Sequence, residues 1–152
     1  MSFIEEIREM ANDKTSKENI VIEDIVKYFK EKMETDTFKD NLKSRIKDAI
    51  NKGKTSCELR IEFWEYCSGC SNTYISVSGC KRFELEYDKD NYNNCFCYKG
   101  VNLRQIHKRL CGTLSDIYKE KLRELGLFIK GSRRRDNEGR FDYYKEDIIV
   151  SW

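Results

Sequence analysis

Seven cysteines and a single histidine are the residues of this chain whose types suit them best to chemistry, and they cluster. Cys67 and Cys70 form a Cys-x2-Cys pair with Ser68 and Gly69 between them. Two thiolates on a tight turn reach one tetrahedral ion, the geometry of a zinc knuckle. Cys80 follows, then Cys95 and Cys97 with one residue between, and His107 precedes Cys111 by four. On a helix that last spacing places both side chains on one face. The expectation is a structural zinc held by Cys67, Cys70, Cys95 and Cys97, or by the knuckle pair with His107 and Cys111. The competing expectation is that the thiols are packing residues, because reduced cysteine behaves as a small apolar side chain. Cys67 or Cys70 as a thiol nucleophile is a third reading, weakened by the lack of a βαβ setting for a redox pair.

The second feature is electrostatic. Lys130, Arg133, Arg134, Arg135 and Arg140 place five cations between Phe128 and Phe141, diluted by Asp136 and Glu138. Arg104, Lys108 and Arg109 add cations from the long helix predicted before them. Together they are expected to form a basic patch able to hold phosphates or an acidic protein surface. The net charge of +2 conceals an asymmetry, since residues 101–152 carry 12 basic and 8 acidic groups. Tyrosine and tryptophan recur through the middle and end of the chain, at Trp64, Tyr66, Tyr74, Tyr87, Tyr92, Tyr98, Tyr143 and Tyr144. Such side chains favour interfaces because each joins an apolar face to a polar tip.

For catalysis the chain is poorly equipped. One histidine excludes a two-histidine phosphoesterase, and nothing around His107 resembles a triad. There is no phosphate-binding glycine loop and no dinucleotide fingerprint. The chain is therefore read as a binding protein rather than an enzyme. No apolar run approaches the roughly 18 residues of a membrane span. Met1–Glu6 is acidic and amphipathic, unlike a secretory leader, so a cytoplasmic location is expected, with reduced cysteines.

The elements that must position these groups follow from periodicity. Ser2 and Glu5 have capping-box spacing, and Phe3, Ile7, Met10 and Ala11 share a helical face. Asp13–Asn19 reads as a polar loop. Val21, Ile22, Ile25, Val26, Phe29 and Met33 form a second helical stripe, and Phe38, Leu42, Ile46, Ala49 and Ile50 a third, ended by Gly53. At Cys57 the period becomes two: Cys57, Leu59, Ile61 and Phe63 alternate with charge, which predicts a strand buried on one face. Further strands are predicted over 72–77 and 82–87. Asn102 and Gln105 suggest a capping box for a long helix with Leu103, Ile106, Leu110, Leu114, Ile117, Leu122 and Leu125 in its stripe and Gly126 as its stop. A strand from Leu127, a turn over Gly131–Gly139 and a return strand over Phe141–Trp152 complete the chain. The fold class is α+β in one domain, residues 1–152: a helical part over 1–56, then a sheet and one long helix over 57–152. The sheet is mainly antiparallel, carries the helices on it and ends in a hairpin.

Lys121–Ile129 (Lys-Leu-Arg-Glu-Leu-Gly-Leu-Phe-Ile), a polar hairpin and a terminal Asp147–Trp152 ending in Val-Ser-Trp resemble the tails of many small proteins of bacteriophages and mobile elements of AT-rich bacteria. Asn51–Leu59, leading helix into strand, is similar in style, and the proline-free, Lys/Ile/Asn/Glu-rich composition agrees with such a source. The resemblance spans about half the chain in pattern and omits the cysteine-rich middle. It implies an α+β fold and an accessory role, and supplies no catalytic residues. The functional expectation is a protein that binds a host protein or ribonucleoprotein in the bacterial cytoplasm, in its sharpest form an inhibitor of a defence system of the anti-CRISPR type. The alternative is a small zinc-stabilised nucleic-acid-binding module.

Overall fold

The capping box at the N-terminus forms as the spacing dictates: the Ser2 hydroxyl accepts from Glu5 N, and the Glu5 carboxylate accepts from Ser2 N. In the computed structural model, which describes residues 2–64, 73–85, 97–135 and 142–152, the helix it starts runs without a break. α1 spans Phe3–Met33. The loop expected over Asp13–Asn19 is therefore helical. Its residues are polar but include neither Gly nor Pro, and the helix is supported there by a Lys14–Glu18 pair one turn apart. Arg109, arriving from a later helix, adds bonds to Glu18 at 3.2 Å and Asn19 at 2.5 Å. Only the second half of α1 enters the core, through Val21, Ile22, Ile25, Val26, Phe29 and Met33. Phe3, Ile4, Ile7 and Met10 are exposed.

Thr35 caps α2 (Asp36–Asn51) by accepting from Phe38 N. Gly53 ends it in a left-handed conformation, φ +75°. Strand β1 (Ser56–Trp64) follows, then β2 (Tyr74–Val77) and a short β3 (Phe83–Glu84). The predicted strand over 82–87 is thus brief where it is described. A small hairpin of β4 (Cys97–Tyr98) and β5 (Val101–Asn102), which periodicity does not reveal, turns at Lys99 and Gly100 and leads into α3 (Leu103–Glu124). The Asn102 side chain caps α3 from Arg104 N, one residue earlier than the predicted box. Gly126 stops the helix at φ +88°. β6 (Phe128–Arg135) and β7 (Asp142–Ser151) form the final hairpin.

The sheet order is β3-β2-β1-β7-β6, antiparallel throughout. Leu59, Ile61 and Phe63 of β1 and Tyr144, Glu146, Ile148 and Val150 of β7 face the helices and are buried. Residues from Val21 to Val150 join in one core cluster, so the helical and sheet-bearing parts share an interior. α1 and α3 lie side by side, tied by Arg109–Glu18 and Lys121–Glu34, and Lys99–Asp24 ties α1 to the β4–β5 turn. α2 closes against the start of β1. There Gly79 (φ +95°) brings its backbone so close that a Cβ would sit 2.9 Å from the Phe38 ring, and its carbonyl accepts from Asn41.

Gly79→Ala meets both a strained backbone and that ring, and is expected to cost about 2 kcal/mol. Gly53→Ala, with nothing within 4 Å of the new Cβ, meets the strain alone, at about 1 kcal/mol. Urea unfolding of the two variants checks the order; equal losses would show that the Phe38 contact is not tight.

Candidate partner-binding face

Strand alternation sends every second residue of the sheet away from the helices. In register, these residues form rows. Glu84, Tyr74 and Trp64 make one row across β3, β2 and β1; Ser76, Glu62, Lys145 and Arg135 make the next, and Arg60, Asp147 and Arg133 the one after. Glu58, Ile149 and Gly131 follow. No described helix covers this face. Arg60 lies across it and donates from Nε to Asp147 Oδ1 at 2.8 Å. Burial works against charge on Asp147, and the Arg60 bond outweighs it, so the carboxyl titrates below its usual range. Arg45 of α2 reaches the same region, where it lines a shallow depression of about 380 Å³ with Glu58, Arg60, Glu62, Ser76 and Ser78. In the aromatic row the Arg82 guanidinium sits 4.2 Å over the Tyr74 ring, and Tyr74 lies nearly parallel to Trp64 at 6.2 Å. A cation over an aromatic face is held by the ring quadrupole.

The predicted basic cluster is divided by this alternation. Lys130–Arg135 is not a turn: β6 continues through it, with a bulge between Ile129 and Gly131. Arg133 and Arg135 project from the open face. Both are exposed, and neither they nor Lys130 has an ion-pair partner among the described residues. Arg134, between them, is exposed as well, but on the helix side, where it donates to Glu146 Oε2 at 3.3 Å. Arg104 and Lys108 lie on α3, three and two turns before Ser115, also on the helix side of the sheet. Arg140 lies outside the described residues.

Glu146 is the group that sequence reasoning missed. Its side chain is fully buried, with both oxygens accepting from the Ser115 hydroxyl at 2.7 and 2.8 Å. Lys119 Nζ is 3.1 Å away, and the Tyr144 hydroxyl donates at 3.3 Å. Burial opposes the charge, but Ser115, Lys119 and Arg134 together more than offset it, and the carboxyl is held below its usual value. The Tyr144 hydroxyl is pushed well above its own range by burial and by the Glu146 charge. A signal was present: Tyr144-x-Glu146-x-Ile148-x-Val150 puts a carboxylate in the buried phase of an apolar strand, where it must be paired.

The cysteine readings fall unevenly on the structure. Cys67, Cys70 and Cys95 lie outside the described residues. Among the described residues no group of three His, Cys, Asp or Glu side chains is placed to hold a metal. Cys97 opens the β4–β5 hairpin, and His107 and Cys111 follow on α3 with Cys111 fully buried. His107 Nδ1 contacts the Arg104 carbonyl at 2.6 Å. A carbonyl only accepts, so Nδ1 carries the proton in that contact. Burial pushes the Cys80 thiol up to about 12, with Lys32 offsetting part of the effect, and pushes the Cys57 thiol up as well. Neither is a thiolate nucleophile at neutral pH.

The Glu146 network makes a pH prediction. A carboxyl that titrates lower in the fold than in the unfolded chain, where glutamate lies near about 4.3, stabilises fully above that value. The contribution is lost as pH falls through the folded value. Glu146→Gln is expected to lower stability by about 3 kcal/mol at neutral pH and to flatten the acid limb of the stability curve below about pH 5. Denaturant titrations from neutral to acid pH check both; an acid limb as steep as that of the parent protein would contradict the assignment.

Comparison with known proteins finds no family model, no curated protein and no solved structure that matches the chain. The functional reading therefore rests on the geometry of this face.

Proposed function

We propose that this chain is a non-enzymatic accessory protein of the bacteriophage or mobile-element type. It binds a macromolecule of its bacterial host in the cytoplasm and blocks it by occlusion. Inhibition of a defence system, as by anti-CRISPR proteins, is the sharpest form of the reading. The observation that supports it is the pair Arg133 and Arg135: exposed, without ion-pair partners among the described residues, and set on a sheet face that no described helix covers. Fixed cations on a rigid strand give an acidic surface both attraction and register, because no loop ordering opposes the contact. Arg60 and Asp147 neutralise each other and leave Arg133 as the net charge of its row, while Glu62 and Lys145 carry opposite charges in the row of Arg135.

A second reading is a nucleic-acid-binding module, with the cysteine cluster as its zinc site. The Arg82–Tyr74–Trp64 stack on the same face favours it, since aromatic and guanidinium planes are the surfaces on which unpaired bases stack. Binding of that kind weakens steeply with added salt. A mobility-shift assay at low salt in which the protein retards no DNA or RNA would remove it.

The leading reading is tested in bacteria that carry an active defence system and are challenged with a sensitive phage. Expression of the chain is expected to raise plaque counts across at least one of a panel of defence types. The double variant Arg133→Glu, Arg135→Glu is expected to lose that effect while keeping its thermal midpoint, because both side chains are exposed. Plaque counts unchanged across the panel, or a double variant as active as the parent, would sink the occlusion reading.

A further inference from the structure

The sheet has two edges of very different character. β3, at one edge, is two residues long. β6, at the other, is eight residues long and, among the described residues, pairs with β7 alone. Among the described residues no other main chain hydrogen-bonds to β6. Half of its backbone N–H and C=O groups therefore face outward, as on any edge strand. The bulge at Ile129–Gly131 interrupts the register near its start, and Gly131–Arg135 is a regular stretch of ladder beyond it.

Such an edge is a template for any extended chain, and its charge decides which chain is accepted. A second copy is rejected. Antiparallel pairing of two β6 edges would set the Arg133–Arg135 run of one copy against that of the other, and like charges opposite one another on paired strands are destabilising. An extended segment with carboxylates at alternate positions is accepted instead. Its side chains on the open face would lie next to Arg133 and Arg135, neither of which has an ion-pair partner among the described residues. The opposite face of the added strand would meet Ser132 and Arg134. Arg134 is already held by Glu146 and Ser132 by Lys119 at 3.3 Å, which keeps the template straight without consuming its outward main-chain groups.

We propose that β6 captures an acidic, extended segment of a protein partner by strand addition, with the backbone ladder supplying affinity and Arg133 and Arg135 supplying selection. This inference rests on the occlusion reading above and names its partner's chemistry.

The test uses the full chain and a fluorescent peptide of roughly ten residues, alternating glutamate and valine, the length of an ordinary strand. Four comparison probes accompany it: the same peptide N-methylated at every second residue, in each of the two phases; its lysine–valine counterpart; and a short oligothymidylate. Anisotropy is expected to show saturable binding of the acidic peptide. One N-methylated phase should bind about tenfold more weakly or worse, the other nearly as well, and the lysine peptide not at all. Amide exchange should slow at alternate residues of Gly131–Arg135. Arg133→Gln, Arg135→Gln, which keeps the edge without its charge, should weaken binding about tenfold. Equal binding of both N-methylated phases would overturn strand addition and leave charge alone. Oligothymidylate binding tighter than the peptide would overturn the protein-partner assignment. If the peptide fails but the plaque effect persists and still depends on Arg133 and Arg135, strand addition is wrong and occlusion stands; if both fail, both are wrong.

Discussion

The carboxylate of Glu146 sits where α3, β7 and β6 meet, and the arrangement of the whole C-terminal half depends on its being satisfied there. A lone buried carboxylate would be expelled or protonated. This one is charged because Ser115 and Lys119, one turn apart on α3, reach it from the helix, and Arg134 reaches it from the neighbouring strand. These bonds fix the rotation of α3 over the sheet. The ladder with β7 sets the register of β6, with Ile129 opposite Val150, Ser132 opposite Ile148 and Arg134 opposite Glu146 on the helix side.

That register sorts the arginine run. With Arg134 turned in, its neighbours must turn out, because side chains of a strand alternate. The same parity places Arg60, Asp147, Tyr74 and Trp64 on the outer face. The proposed binding residues and the residue that pairs Glu146 are thus neighbours on one strand, separated by the pleat. The helices complete the division by covering one face through the Val21–Met33 half of α1 and the long stripe of α3.

Much of the fold was legible because its signals are local. The capping box at Ser2, the stop glycines at 53 and 126, the alternation in β1 and the apolar stripe of α3 each act over a few residues, and all are present. The polar run at Asp13–Asn19 misled because it lies in a half of α1 that buries nothing, so no apolar period marks it as helix. The β4–β5 hairpin is two residues deep on each side, too short for alternation to show. Composition alone makes the basic run a turn, because Gly131, Ser132 and charge favour loops. Pairing with β7 overrides that preference. The anchoring Glu146 was missed for the opposite reason, since its partners on α3 and β6 are brought to it only by tertiary structure.

The central claim is that Arg134, though exposed, is bound to the buried Glu146, while Arg133 and Arg135 have no ion-pair partner among the described residues. Thermal melts of the three single variants Arg133→Gln, Arg134→Gln and Arg135→Gln at neutral pH test it most directly. The account predicts a midpoint lowered by about 2–4 °C for Arg134→Gln alone, the shift that roughly 1 kcal/mol produces in a chain of this size. Midpoints within about a degree of the parent protein are predicted for the other two. Three equal midpoints, or a loss confined to Arg133 or Arg135, would contradict the inward placement of Arg134 and with it the division of the two faces.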